Sequence, residues 1–136
     1  TLVDRDTEAF NGIMAAFGMP KATDTEKAAR SRAIHDATVN AVEVPYATLR
    51  EALATFCVLR EVALNGNPAS ASDAGVGALA ARAAVHGAYL NMKINAADID
   101  DENVNELINK AASMVSDADR FESEILAIVN DKIASK

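Results

Sequence analysis

Apolar residues recur along this chain at helical spacing almost from end to end. Leu2, Val3, Phe10, Ile13, Met14 and Phe17 form a first stripe, closed by Gly18, Met19 and Pro20. Thr1 and Asp4 have the spacing of a capping box at its start. Thr23-Asp24-Thr25-Glu26 reads as the start of a second helix, with Thr23 as N-cap and Glu26 reaching back. That helix is predicted to run to about residue 44, with Ala29, Ala33, Ala37 and Ala41 on one face. Pro45 lacks an N–H and crowds the turn before it, so a kink or a restart is expected there. A further helix turns Leu49, Leu53, Phe56, Leu59 and Ala63 inward and stops at Asn65-Gly66, a C-cap signal.

A loop at 67–71 leads into the next helix. Ser72 is its expected N-cap, with Asp73 favoured in the first turn by the helix dipole. This helix, to about residue 94, is apolar nearly all round, the pattern of an element buried at the centre of a bundle. Its Gly75, Gly77, Ala80, Ala84, Gly87 and Ala88 let neighbouring backbones come close. The last helix carries a stripe through Val104, Leu107, Ile108, Ala111, Val115, Ala118, Phe121, Ile125, Val129 and Ile133. At its helical rise it spans about 50 Å. No alternating strand pattern and no internal repeat occur. The expected fold is all-α, one domain over residues 1–136, an orthogonal or antiparallel bundle of four to five long helices.

Composition narrows the function classes. Half of the 136 residues are apolar, few are aromatic, and none is Trp. The abundant Ala favours helix and close helix approach. A net charge of −7 argues against a general nucleic-acid or anionic-membrane surface, since both need basic stripes. A local basic patch for a small anion stays open. The single Cys57 excludes an internal disulfide and points to a reducing, cytoplasmic setting. The most apolar stretch, 74–91, carries Arg82 and His86, so no spanning segment is expected. The start at Thr1, rather than Met, is consistent with a cut inside a longer protein.

Several motifs fail for want of context. Gly75-Val76-Gly77-Ala78-Leu79-Ala80 has the letters of a dinucleotide fingerprint, but a polar loop precedes it and helices surround it, where that motif needs a βαβ unit. Packing by small residues accounts for it better. His35 and His86 belong to no i, i+4 ligand pair, so no metal site is expected. Cys57, between Phe56 and Val58, reads as a buried inert thiol. Asp98, Asp100, Asp101 and Glu102 stand at a helix start, where carboxylates are favoured without any cation.

Polar residues on apolar faces are the candidates for chemistry. Asp6 lies between Leu2 and Phe10 at i, i+4 spacing, so it is expected on a buried face, paired or with a raised pKa. Asp4 is expected nearer solvent. Asn91 and Asn95 end the apolar helix with Lys93 between them. C-capping explains Asn95 well and Asn91 less well, because Leu90 and Ile94 look buried. Ser72 and Asp73 read as cap residues, although a helix N-terminus is also a natural anion site.

Four ordered segments carry a family resemblance that covers essentially the whole chain. Residues 66–77, Gly66-Asn67-Pro68-Ala69-Ser70-Ala71-Ser72-Asp73-Ala74-Gly75-Val76-Gly77, resemble the signature loop of the formimidoyltransferase-cyclodeaminase C-terminal family. Leu2-Val3-Asp4-Arg5-Asp6-Thr7-Glu8-Ala9-Phe10 resembles the family's acidic helix. Met19-Pro20-Lys21 with Ala28-Ala29-Arg30 resembles its first connection. Gly87-Ala88-Tyr89-Leu90-Asn91-Met92-Lys93-Ile94-Asn95 resembles its second signature. Family members carry a further N-terminal portion with a Pro-Gly-Gly-Gly-Ser turn. This sequence has no such turn, so it is expected to correspond to the C-terminal portion.

The resemblance implies one-carbon chemistry on a tetrahydrofolate derivative as substrate, without a metal. Its first reading is formiminotetrahydrofolate cyclodeaminase, a lyase of histidine degradation that closes the substrate to 5,10-methenyltetrahydrofolate and releases ammonia. The alternatives are methenyltetrahydrofolate cyclohydrolase, a hydrolase, and a non-catalytic helical assembly or binding protein of the same fold. It implies Asp6 as the acid–base carboxylate, with Asp4 second. Asp73 with Ser72 would bind polar pterin edges or shape the loop, Asn67 would bind substrate, and Asn91 would hydrogen-bond the substrate or hold the carboxylate. Lys21, Arg30, Arg82 and Lys93 are candidates for the anionic glutamate tail. A homodimer, and no nucleic-acid or membrane partner, complete the expectation.

Overall fold

Where this chain can cap, continue and stop determines the helices of the computed structural model, which describes residues 1–135. Helix α1 is Leu2–Phe17, opened by the Thr1/Asp4 capping box. Helix α2 is Asp24–Asn65, opened by the Thr23/Glu26 box. One 3-10 turn, Pro68–Ser70, is capped by the Asn67 side chain, which accepts from the Ala69 N–H at 2.9 Å. Helix α3 is Ala71–Asn95, and α4 is Glu102–Ala134, capped by Asp101 accepting from the Val104 N–H at 3.0 Å. The all-α expectation holds, with four helices. The acidic start of α4 is a cap, as its position implied.

Pro45 neither ends nor restarts the helix, because α2 is continuous through it for 42 residues. The physical reason lies outside α2. A proline cannot bond the carbonyl four residues back, which here belongs to Ala41. That carbonyl instead accepts from Asn95 Nδ2 at 2.7 Å. Asn95 thus serves another helix's orphaned carbonyl rather than capping its own end.

Side-chain contacts fix the directions. Asn95 meets Ala41, and a Cβ on Gly77 would come within 2.5 Å of Leu59, so α3 runs antiparallel to α2. Arg82 and His86 meet Asp119 while Gly75 approaches Val129, so α4 runs antiparallel to α3. His35 meets Asp101 and Lys132 meets the Leu64 carbonyl, so α4 runs parallel to α2. Arg30 reaches the Phe17 carbonyl, folding α1 back along the N-terminal half of α2.

Three helices share a core spaced by sevens: Val42, Leu49, Phe56 and Ala63 of α2; Ala71, Ala78, Val85 and Met92 of α3; Val104, Ala111, Ala118 and Ile125 of α4. Such a repeat keeps one seam of each helix on its neighbours. The small residues let α3 sit close to both partners, and Gly77 leaves room for Leu59.

Three expectations are corrected here. Helix α3 is buried on one face only, and Val76, Leu90 and Ile94 are 65%, 63% and 73% exposed. Its apolar residues outnumber what α2 and α4 can cover. Cys57 is exposed, because the core seam of α2 passes through Phe56. Ser72 is not the N-cap, since the 3-10 turn starts the helix earlier and leaves Ser70 at that position. Among the described residues no helix is long and apolar enough to cross a membrane.

Candidate functional site

Helix α1 covers α2 from about Arg30 to Pro45, and α3 covers it from Ala41 onward, so all three helices meet around Pro45. A crevice of about 360 Å³ opens there, lined by Asp6 and Thr7 of α1, Pro45 and Thr48 of α2, and Gly87 and Asn91 of α3. A smaller recess of about 90 Å³ adjoins it, shared by Asp6, Asn91 and Asn95. The structure therefore brings Asp6 and Asn91 together, from two helices far apart in sequence.

Asp6 departs from expectation in one respect: it is exposed, not buried. The buried positions of α1 are Ala9 and Ala16, which turns the inward seam one residue away from the Leu2–Asp6–Phe10 line. Phe10 itself is 61% exposed. Asp6 stands at the mouth of the crevice with its carboxylate open to an incoming molecule. Asp4 is held elsewhere. Its Oδ2 accepts from the Thr1 hydroxyl at 2.6 Å.

The polar lining is otherwise well ordered. Thr7 and Thr48 donate their hydroxyls to the Val3 and Val44 carbonyls of their own helices. Asn95 is spent on Ala41, one turn beyond Asn91. That bond ties the end of α3 to α2 at the proline, so it sets where Asn91 stands. A proline four residues after a carbonyl demands such a donor, and that was the available signal. Pro45 and Thr48 as lining residues had none, whereas Gly87 opens the segment 87–95 that also holds Asn91.

The remaining candidates lie elsewhere. Ser72 and Asp73 are exposed in the first turn of α3 and Asn67 is in the turn before it. Nineteen residues of helix separate Ser72 from Asn91, roughly 28 Å. Within one copy they cannot share a pocket with Asp6. Arg82 is paired across α3 and α4, its Nε 2.6 Å from Asp119 Oδ1. His86 Nε2 meets the same oxygen at 2.7 Å. His86 first and Arg82 second pull the Asp119 carboxyl below its usual range. Lys93 is exposed, its Nζ 5.6 Å from the Tyr89 ring centre. Lys21, Lys27 and Arg30 line a separate recess of about 320 Å³ at the start of α2, with the Arg30 guanidinium over the Phe17 ring.

Among the described residues no three His, Cys, Asp or Glu side chains are grouped to hold a metal ion. What the crevice offers is a carboxylate, a carboxamide and an apolar wall from Leu2, Val3, Pro45 and Ala88. Such a set can accept and return a proton and hydrogen-bond a planar polar molecule.

Comparison with known proteins adds a second kind of finding. The family model described as Formiminotransferase-cyclodeaminase matches residues 1–114. The chain is similar to a methenyltetrahydrofolate cyclohydrolase of Methylorubrum extorquens, 35% identical over 133 residues, which is 97% of this chain and 64% of the relative. It is also similar to formimidoyltransferase-cyclodeaminases of Gallus gallus, 34% identical over 98% of the chain, and Sus scrofa, 38% identical over 75% of it. It spans just under two thirds of the first relative, and only 25% and 19% of the other two.

Proposed function

The chain belongs to the formiminotransferase-cyclodeaminase family, and from that premise we propose that the crevice at Pro45 performs ring chemistry on the one-carbon unit between N5 and N10 of a tetrahydrofolate. The observation that carries this reading is the meeting of Asp6 and Asn91 in one crevice. In the closing direction, N10 attacks the carbon of the protonated formimino group. Asp6 takes the N10 proton and returns it to the amine. The carbon–nitrogen bond to that amine then breaks, and ammonia leaves a methenyl cation whose charge the carboxylate offsets. Asn91 holds a polar edge of the substrate. A pterin lying between α1 and α3 would cover Asp6 and desolvate it, which the helices by themselves do not do.

A second reading, methenyltetrahydrofolate cyclohydrolase, is favoured by the Methylorubrum relative, of which the chain covers the largest share among the relatives named above. There water adds to the methenyl carbon, and Asp6 orients it and takes its proton. The basic recess of Lys21, Lys27 and Arg30 suits the anionic glutamate tail better than Arg82, which Asp119 already occupies. The single unpaired Cys57 fits a reducing compartment such as the cytoplasm.

We further read the exposed apolar face of α3 as the seat of a second copy. A two-fold axis near Ala83 would set the helices antiparallel and bring Ser72 and Asp73 of one copy towards Asn91 of the other. Sedimentation at several concentrations tests the dimer. The activity test follows the methenyl chromophore. Its formation from 5-formiminotetrahydrofolate supports the first reading, and its faster loss from 5,10-methenyltetrahydrofolate supports the second. Either activity persisting in full in Asp6→Asn would sink the mechanism.

A further inference from the structure

A second concave surface lies between the parallel helices α2 and α4, a groove of about 480 Å³ that shares no residue with the crevice. Its apolar floor includes Leu53, Phe56, Met114, Phe121 and Ile125. The Phe56 and Phe121 rings stand 5.8 Å apart at 44°. Helices α2 and α4 each pack chiefly on α3 and meet one another more sparsely, which leaves their common flank uncovered.

Charged side chains stand at both ends of this floor. Arg50 and Arg60 both line the groove, and neither has an ion pair or hydrogen bond with any described residue. Glu124 also lines it, but is engaged by Arg120 at 3.3 Å. Because Phe56 faces Phe121 and the helices are parallel, Glu124 lies level with the Arg60 end. Among the described residues no carboxylate lines the Arg50 end. An apolar concavity of a few hundred Å³ with one or two convergent polar groups is the form of a small-molecule site.

We propose that this groove binds an amphipathic monoanion, with its carboxylate on Arg50 and its hydrocarbon body along the partly buried Leu53, Met114 and Phe121. The site is separate from the folate crevice and stands or falls independently of it. Cys57, the chain's single cysteine, is exposed in the groove lining and reports on occupancy.

The test is the rate of Cys57 alkylation by iodoacetamide, a neutral reagent, followed by intact mass on the full chain with increasing decanoate. Saturable protection is expected. Arg50→Gln should raise the half-saturating decanoate about tenfold, the loss of one charge-assisted contact. Arg50→Lys should recover most of it, and Arg60→Gln should change it by no more than about twofold, because Glu124 already offsets that end. Decanol should protect the parent chain about as weakly as decanoate protects Arg50→Gln. Non-saturating protection, equal protection by decanol and decanoate, or indifference to Arg50→Gln would each overturn the proposal. So would protection that rises with protein concentration in the absence of decanoate, which would assign the groove to self-association.

Discussion

The two ends of helix α3 look alike in sequence and differ in the fold. Each carries a pair of small polar residues, Ser72 and Asp73 at the start, Asn91 and Asn95 at the end. The first pair is exposed with no neighbouring helix over it, while the second is wedged between α1 and α2. One end is a helix start that solvent can satisfy. The other is a place where side-chain amides must find protein partners, and one of them is recruited by the proline of a different helix. The same residue types become a site only where other elements converge on them.

The widest separation of the two ends is expected in turnover. Asp6→Asn, at the C-terminal end's crevice, should lower kcat by about a hundredfold or more with little change in thermal stability, since the side chain is exposed. Asp73→Asn at the other end should leave a monomeric chain's turnover within about twofold, as surface changes away from a site do. A strong Asp73→Asn effect that depends on protein concentration would instead favour the antiparallel dimer, in which the two ends meet.

The next effect is on stability. Asn95→Ala leaves the Ala41 carbonyl without a donor beside Pro45, and a loss of about 1–3 kcal/mol is expected in urea unfolding. Adding Pro45→Ala to the same chain should recover part of it, because an alanine there supplies the backbone N–H that proline lacks. If the single and double variants unfold at the same urea concentration, the bond is not what holds the two helices in register. Ser72→Ala, by contrast, removes no side-chain cap and should cost less than about 0.5 kcal/mol.

Gly87→Ala sets stability against binding. A Cβ there meets nothing within 4 Å, so the helix should gain roughly 0.5–1 kcal/mol. The same methyl group enters the crevice wall, and KM should rise severalfold if substrate lies against it. A rise in stability with an unchanged KM would move the substrate away from α3.

The smallest effect is a pH dependence. Asp119 has its carboxyl pulled down by His86 and Arg82, so its folded pKa lies below its unfolded one. Its contribution is fully present above the unfolded value, near the usual 3.8, and is lost as pH falls through the folded value. Asp119→Asn should therefore flatten the acid limb of the stability profile below about pH 4. An unchanged limb would remove this clasp between α3 and α4 from the account.

Much of the fold was legible because helix signals are local. Both capping boxes, the stop at Gly66 and the acidic cap of α4 are read from residues within one turn of one another. The candidate site was half legible. Asp6 and Asn91 stood out as polar residues on apolar stripes, and they do meet, but the burial expected of Asp6 failed because a stripe only approximates the seam that packs. Thr48 and Asp119 gave no sign, since each is ordinary until a second helix arrives.

The sequence by itself determined the helical class, the helix boundaries to within a few residues, the acidic charge and the polar residues worth testing. These depend on hydrogen bonds and periodicities that close within a turn or two. Only the tertiary structure decided that α2 survives Pro45, that Asn95 spends its amide on Ala41, and that Ser72 lies far from Asp6 along α3. It alone left an apolar groove beside two unpaired arginines. Each of those outcomes depends on which faces of separate helices meet, and a face has no partner until the chain has folded.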